Sequence, residues 1–454
     1  MPRSRKRVAS STPRLRAHLK RSVLHRAWLP LTTLGLLGAL MASCARRPIR
    51  VDASANGDVV PVRRPLSSRD ASLRMVRVAL ASRTTTVELT ADAGWMLYAS
   101  DGATPLAQTQ PGERWILERD GARLSARRSD SHPVSLRDTL IIARSSDAGG
   151  TIRFNERRYR GEVLMRASAG EIMVVNRLPM DDYVRGVVPL EIGTNDAADL
   201  AAVEAQAVAA RSYAYTRLAG PARPYDLVAT VQDQVYGGAN AESRTGNEAV
   251  DATAGLVLLY GGRVVNAPYH ATCGGFTAAP EDSWNVSSEP YLRRVSDQIP
   301  GTDRYYCDWA PKFRWTRSYS ADQLRASVAR YLRSLPGGSG GITRVRNVRV
   351  TDVTPAGRVG TLSVETDRGN WALRGNQIRS ALRLPSGEML YSTYFSVDAD
   401  VRGGEVQSLV LHGGGNGHGI GMCQTGAIGR ARAGQDFRTI LATYYPGTTV
   451  GTVQ

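Results

Sequence analysis

The chain has 454 residues, enough for two or three domains with ample core, and a formal charge of +17. Residues 1–50 carry twelve Lys or Arg and no Asp or Glu, so the other 404 residues hold only +5. The basic balance therefore gives no support to a nucleic-acid-binding role outside the N-terminus, and the N-terminus has a different explanation.

Residues 3–26 are Arg-rich, residues 27–43 (AWLPLTTLGLLGALMAS) are apolar, and Cys44 follows. That order is the one of an export signal, and the apolar run is at the short end for a spanning helix. MAS before Cys44 resembles a bacterial lipobox, in which the cysteine is lipidated and becomes the mature N-terminus, although Met41 stands where Leu is usual. The alternatives are an ordinary signal peptide or a retained anchor. All three place residues 70–454 outside the cytoplasm, in the periplasm if the cell has one. With Cys44 lipidated, Cys273, Cys307 and Cys423 remain, an odd number that cannot be fully paired within one chain. One disulfide plus a free thiol fits an oxidising compartment, and so does a metal site.

Residues 45–72 lack periodicity and read as a flexible linker. From 73 to 178, short alternating or β-branched segments such as MVRVALAS, TTVELTA and EVLMRASAGEIMVVNRL predict an antiparallel β region. NDAADLAAVEAQAVAARSYAYTRLAGP then predicts the strongest helix, stopped by Gly220-Pro221, with many alanines for close packing. NEAVDATAG predicts a short helix, and LVLLYGGRVVNAPYHAT a hairpin turning at Gly261-Gly262. SADQLRASVARYLRSL predicts a capped amphipathic helix. The glycine-rich joint after it leads into a β meander, so residues 337–400 are marked as an insertion within a core of residues 179–450. IRSALRL is expected as a helix, YSTYFSVDAD and VQSLVLHG as strands, and QTGAIGRARAG as the last helix. The expected class is α+β: a strand-rich mixed body with packed helices, preceded by a disordered, signal-bearing N-terminus.

Three stretches hold candidate chemistry. GGGNGHGIGMCQTGA, residues 413–427, holds seven glycines around His418, with Gln424 close behind. No frame satisfies G-x-G-x-x-G and no Gly-Lys-Ser/Thr follows, so a phosphate site is not supported. Such a loop would let a bulky substrate approach the backbone while His418 and Gln424 supply hydrogen bonds; the plainer reading is a glycine turn with an exposed histidine. LPMDDYVRGVVPLEIG, residues 178–193, sets Glu191 among Val187, Val188, Leu190 and Ile192. Apolar surroundings raise a carboxyl pKa, as a general acid requires, although acidic residues are also common near helix starts. YHATCGGFT, residues 269–277, contains His270-x-x-Cys273, with Cys307 downstream. These three residues suit zinc, with Cys423 as a fourth ligand if the glycine loop folds back. A Cys273–Cys307 disulfide is the competing arrangement.

PMDDYVRGVVPLE, EAQAVAARSYA, QVYGG, YHATCGG and GHGIGMCQTGAIGRA occur in one order, and over residues 73–450 the chain resembles the SpoIID/LytB domain family of stage II sporulation protein D and the LytB amidase modifiers. The resemblance implies a lytic transglycosylase that cleaves the MurNAc–GlcNAc bond of peptidoglycan with formation of 1,6-anhydroMurNAc; its sporulation members prefer strands stripped of stem peptides. The catalytic glutamate falls on Glu191, and the substrate-side arginine, histidine and glutamine on Arg211, His418 and Gln424. The zinc ligands of some members fall on His270, Cys273 and Cys307, while Cys423 stands where many members have another small residue. The chemistry suits one carboxyl group. A glycosidase that hydrolyses needs two, but here the sugar's own C6 hydroxyl attacks, and its effective molarity supplies much of the rate. No cofactor is required for that acid/base step. The expected partners are glycan strands, the membrane through the N-terminal lipid or signal, and a cell-wall amidase. The amidase belongs to the second reading, a glycan-binding modifier without chemistry of its own. A structural tether between envelope and wall is a third.

Overall fold

A computed structural model describes residues 49–50, 74–129, 136–193, 196–284, 286–335 and 341–453. The export signal, Cys44 and most of the expected linker lie outside the described residues. Ile49–Arg50, inside that linker, pairs in parallel with Trp371 and Ala372. No described helix is long and apolar enough to cross a membrane, which says nothing of β-barrels.

The fold is α+β. Residues 75–179 form antiparallel strands in two sheets. The seven-stranded sheet has at its centre Met75–Thr84, Glu171–Pro179, Glu162–Ser168 and Leu140–Ser145. At one edge Leu227–Val228 adds in parallel to Met75–Thr84. The six-stranded sheet is built around Thr86–Ala91 and Trp115–Asp120. Buried and exposed positions alternate along several of these strands, so apolar side chains of both sheets meet in one core that includes Val87, Leu89, Trp95, Leu117, Ile141 and Val163.

The same core continues into three helices: α1 (Met180–Arg185), α2 (Val188–Ile192) and α3 (Leu200–Arg217). Ala202, Ala205, Ala207, Ala209, Ala210 and Ala214 of α3 are all buried. A helix buried on nearly every side belongs to the middle of a core, and small side chains let its neighbours close in. Those neighbours are the helices Arg244–Ala252, Gln424–Arg432 and Phe437–Tyr444 and the strand Leu256–Tyr260. The final helix, Phe437–Tyr444, was missed in the sequence. Its start is marked by Asp436, whose side chain accepts from the Thr439 N–H at 2.7 Å.

A second core spans Trp315–Leu411, wider on both sides than the 337–400 insertion marked from the sequence. The strand Arg314–Ser320 pairs with Glu405–Gly414, which pairs with Phe395–Arg402. The helix Ala321–Arg333 starts with a Ser320/Gln323 capping box and buries Leu324, Val328 and Leu332 against this sheet and the meander Val345–Val353, Val359–Thr366, Gly369–Leu373. The long strand Glu405–Gly414 then runs directly into the glycine loop, whose exit returns to the first core at Ile420 and Met422.

Candidate active site

Glu191 lies on α2, a five-residue helix entered through Pro189 and closed at Gly193, which has φ +89°. Val187, Val188 and Ile192 are buried but Leu190 is 45% exposed, so the helix end reaches the surface. One carboxylate oxygen of Glu191 accepts from the Val235 N–H at 2.8 Å. Burial pushes its pKa up, and the Val235 hydrogen bond only partly opposes this; among the described residues no charged neighbour contributes. A carboxyl group whose pKa is raised by burial, with one oxygen held by a backbone N–H, has the form of a general acid.

The donor belongs to QVYGG, residues 234–238, whose glycines are required by contact. A Cβ at Gly237 would lie 2.8 Å from Leu190 Cδ1, and one at Gly238 (φ +64°) would collide with the Arg158 carbonyl. Gln234 anchors this loop: its amide oxygen accepts from the Tyr183 hydroxyl at 2.9 Å, and its amide nitrogen donates to the Tyr269 hydroxyl at 2.8 Å. Burial, and then the nearby Glu191 carboxylate, push the Tyr269 pKa up. Gln234, Val235 and Tyr269 were not singled out in the sequence as site residues, because a backbone donor and its support carry no side-chain signature.

Tyr269 links Glu191 to the glycine loop. The His418 Nδ1 accepts from the Ile420 N–H at 3.1 Å, which leaves its other nitrogen to donate to the Tyr269 carbonyl. Trp284 lies 4.9 Å and His270 5.6 Å from the His418 ring, centroid to centroid. Burial, then the cations Arg379 and Arg358, hold the His418 pKa down at about 3. The imidazole is therefore held in its neutral form, with both ring nitrogens engaged by backbone groups.

Of the residues expected to face the glycan, Arg211 and Gln424 are buried and bonded to neighbouring protein groups, and His418 is half-buried. Arg211 is fully buried; its Nε donates to Asp181 at 2.6 Å and one terminal nitrogen to the Leu256 carbonyl at 2.9 Å. Burial lowers its pKa against the pull of Asp181. Gln424 is 7% exposed and donates to Gln206 of α3 at 3.2 Å. The glycines are used in packing as well, which corrects the expectation that they clear room for a polysaccharide. Gly415, Gly417, Gly419 and Gly421 all have positive φ. A Cβ at Gly415 would sit 2.8 Å from the Thr272 oxygen, one at Gly417 2.8 Å from His270 Cβ, and those at Gly419 and Gly421 would collide with Arg358 and the Pro268 carbonyl. The loop is laced onto 268–278, where Tyr269 and His270 pair in parallel with Met422 and Cys423.

Cys273, Cys307 and Cys423 are buried, unpaired thiols. With Asp297 they bring four ligand atoms within 4.8 Å of one another. His270 stands outside this group: its Nδ1 faces the Ile420 carbonyl at 3.2 Å, and its Nε2 is buried without a partner among the described residues. The structure thus gathers Cys273 and Cys307 with Cys423, the fourth ligand offered by the sequence, and with Asp297, while His270 lies outside the group. Asp297 had no signal in the sequence.

The family model described as stage II sporulation protein matches residues 168–260, which include Glu191, Arg211 and QVYGG. A domain of unknown function, DUF8618, matches residues 302–421 and so takes in the second core. An uncharacterized protein of Brachyspira hyodysenteriae is 30% identical over 294 residues, 64% of this chain and 72% of that protein. The amidase enhancer of Bacillus subtilis is 33% identical over 295 residues, 59% of this chain but 40% of that longer protein. Stage II sporulation protein D of Bacillus subtilis is 27% identical over 292 residues, 61% of this chain and 75% of that protein.

Proposed function

Because this chain belongs to the SpoIID family, we propose that it acts on the cell wall as a peptidoglycan lytic transglycosylase, with Glu191 as its one acid/base group. The observation that carries the reading is the solitary, burial-raised carboxyl of Glu191, held at one oxygen by Val235 N–H. The protonated carboxyl gives its proton to the glycosidic oxygen as the bond to C1 of MurNAc breaks. The C6 hydroxyl of the same sugar closes on C1, and the carboxylate takes up the hydroxyl proton. The product is the 1,6-anhydro sugar, and the glutamate regains its starting state. An intramolecular nucleophile makes a second carboxylate unnecessary, and the step uses no cofactor.

The exported N-terminus places the folded body outside the cytoplasm, tethered through a lipid on Cys44, within reach of peptidoglycan. The amidase enhancer among the relatives supports a second reading, in which the protein binds glycan and stimulates a cell-wall amidase. Mass spectrometry of purified peptidoglycan after incubation separates the two. Muropeptides ending in 1,6-anhydroMurNAc are expected. Glycan that is bound but uncut, with a partner amidase accelerated, would replace the enzyme reading by the modifier one.

A further inference from the structure

We propose that Cys273, Asp297, Cys307 and Cys423 hold a zinc ion that clamps the end of the glycine loop to the 273–307 segment, and that His270 is not one of its ligands. The site stands whether or not Glu191 cleaves glycan.

The ligand atoms have the right spacing. Cys273 Sγ lies 3.5 Å from Cys307 Sγ and 3.7 Å from Asp297 Oδ2. Zinc–sulfur bonds of about 2.3 Å in a tetrahedron set neighbouring ligands roughly 3.8 Å apart. A disulfide would need about 2.0 Å and would use only two of the three sulfurs. Three soft thiol sulfurs and one carboxylate within 4.8 Å of one another are a donor set suited to zinc.

The surroundings are those of a ligand shell. Cys273 Sγ accepts from the Gly275 N–H at 3.3 Å, and Cys423 Sγ from the N–H groups of Cys273 at 3.2 Å and Gly426 at 3.3 Å. Such donors stabilise sulfur that carries negative charge. Asp297 is oriented from behind. Its Oδ1 accepts from Arg430 Nε and Nη2 at 3.2 and 3.0 Å and from the Tyr444 hydroxyl at 2.7 Å, which leaves Oδ2 toward the thiols. Arg430 also supplies a positive charge beside a centre that would carry two net negative charges when loaded.

The ligands come from separated parts of the chain. Cys273 precedes the turn at Gly274-Gly275, and Asp297 and Cys307 flank the excursion between them. Cys423 is the N-cap of the helix Gln424–Arg432, which also carries Arg430. Four protein ligands make a closed, structural site. Its role is to fix where the glycine loop ends and the helix begins.

The test uses the full chain purified without chelator. One zinc per chain is expected by metal analysis, retained in His270→Ala and lost in Cys307→Ser and Cys423→Ser. Arg430→Gln should weaken zinc about 10–100-fold through its hold on Asp297. Chelation should lower the melting temperature and open Cys273, Cys307 and Cys423 to alkylation together, as read by peptide mapping. If the serine variants fail to fold, cobalt substitution of the wild type gives an independent reading: a tetrahedral spectrum with charge-transfer intensity for three thiolates is expected. Intensity for two, or zinc lost from His270→Ala, would restore the histidine set and overturn the proposal. Metal-free protein with two of these cysteines in a disulfide and the third reactive would overturn it as well.

Discussion

Glu191 is held by a residue 44 positions away in the chain, whereas the glycine loop is held by contacts that span 150. Around Glu191 one backbone N–H satisfies one carboxylate oxygen. Around the glycine loop, His418 and Gln424 spend their side-chain hydrogen bonds inside the protein, and the glycines admit neighbouring backbone. Residues that look equally functional in the sequence thus divide into one that keeps a carboxylate oxygen without a protein partner among the described residues and others bonded within the fold. The difference lies in which polar groups the fold leaves unspent, not in an unusual composition.

The sharpest way to break this contrast is Glu191→Gln. Loss of the proton donor should reduce 1,6-anhydro product formation by about 10²–10⁴, and retained turnover would remove Glu191 from the chemistry. The same variant tests burial. Because the folded-state pKa is raised above the ordinary 4.5, the wild-type side chain contributes stability that is full below that value and is lost as pH rises through the folded pKa. Denaturant melts from pH 4 to 8 should show that decline in the wild type and not in Glu191→Gln.

Arg211→Ala comes next. It strands Asp181, 9% exposed, without its guanidinium, and breaking a buried pair costs about 3–5 kcal/mol. Chemical denaturation should register the loss. A variant of normal stability with a raised KM for glycan would instead return Arg211 to the substrate side.

Gly421→Ala probes the lacing. The added Cβ meets the Pro268 carbonyl at a backbone φ of +69°, and overpacking of this kind costs about 1–3 kcal/mol. Protection of amides in 413–423 from hydrogen exchange should fall more than that of α3. Equal protection in the two would mean that the loop is not held by this contact.

The smallest effect expected is on the pH profile of cleavage. With His418 held neutral at about 3, the wild-type rate should fall only on the alkaline side of the raised Glu191 pKa, with no histidine limb between pH 5 and 8. His418→Gln should leave the shape of that profile unchanged, though it removes the ring packed on Trp284. A limb that disappears in His418→Gln would show that the imidazole titrates during the reaction.

Much was legible in the amino-acid order because it is local. The alternating strands of residues 75–179, the Ser320 capping box, the alanine-rich α3 and the hairpin at Gly261-Gly262 all depend on neighbours within a turn or a few residues. Val187, Val188 and Ile192 around Glu191 foretold a carboxyl group in a poor solvent for charge, and the structure raises its pKa. The partners of long-range groups were decided only by tertiary structure. Nothing in spacing could assign Val235 N–H to Glu191, Asp181 to Arg211, Gln206 to Gln424, or Asp297 to the three thiols. A hydrogen bond or ligand contact needs atoms within a few ångströms, and chain separation does not encode that distance. Glycine-rich composition announced an unusual backbone at 413–421, but whether the vacated space received a substrate or another strand depended on what the fold brought against it.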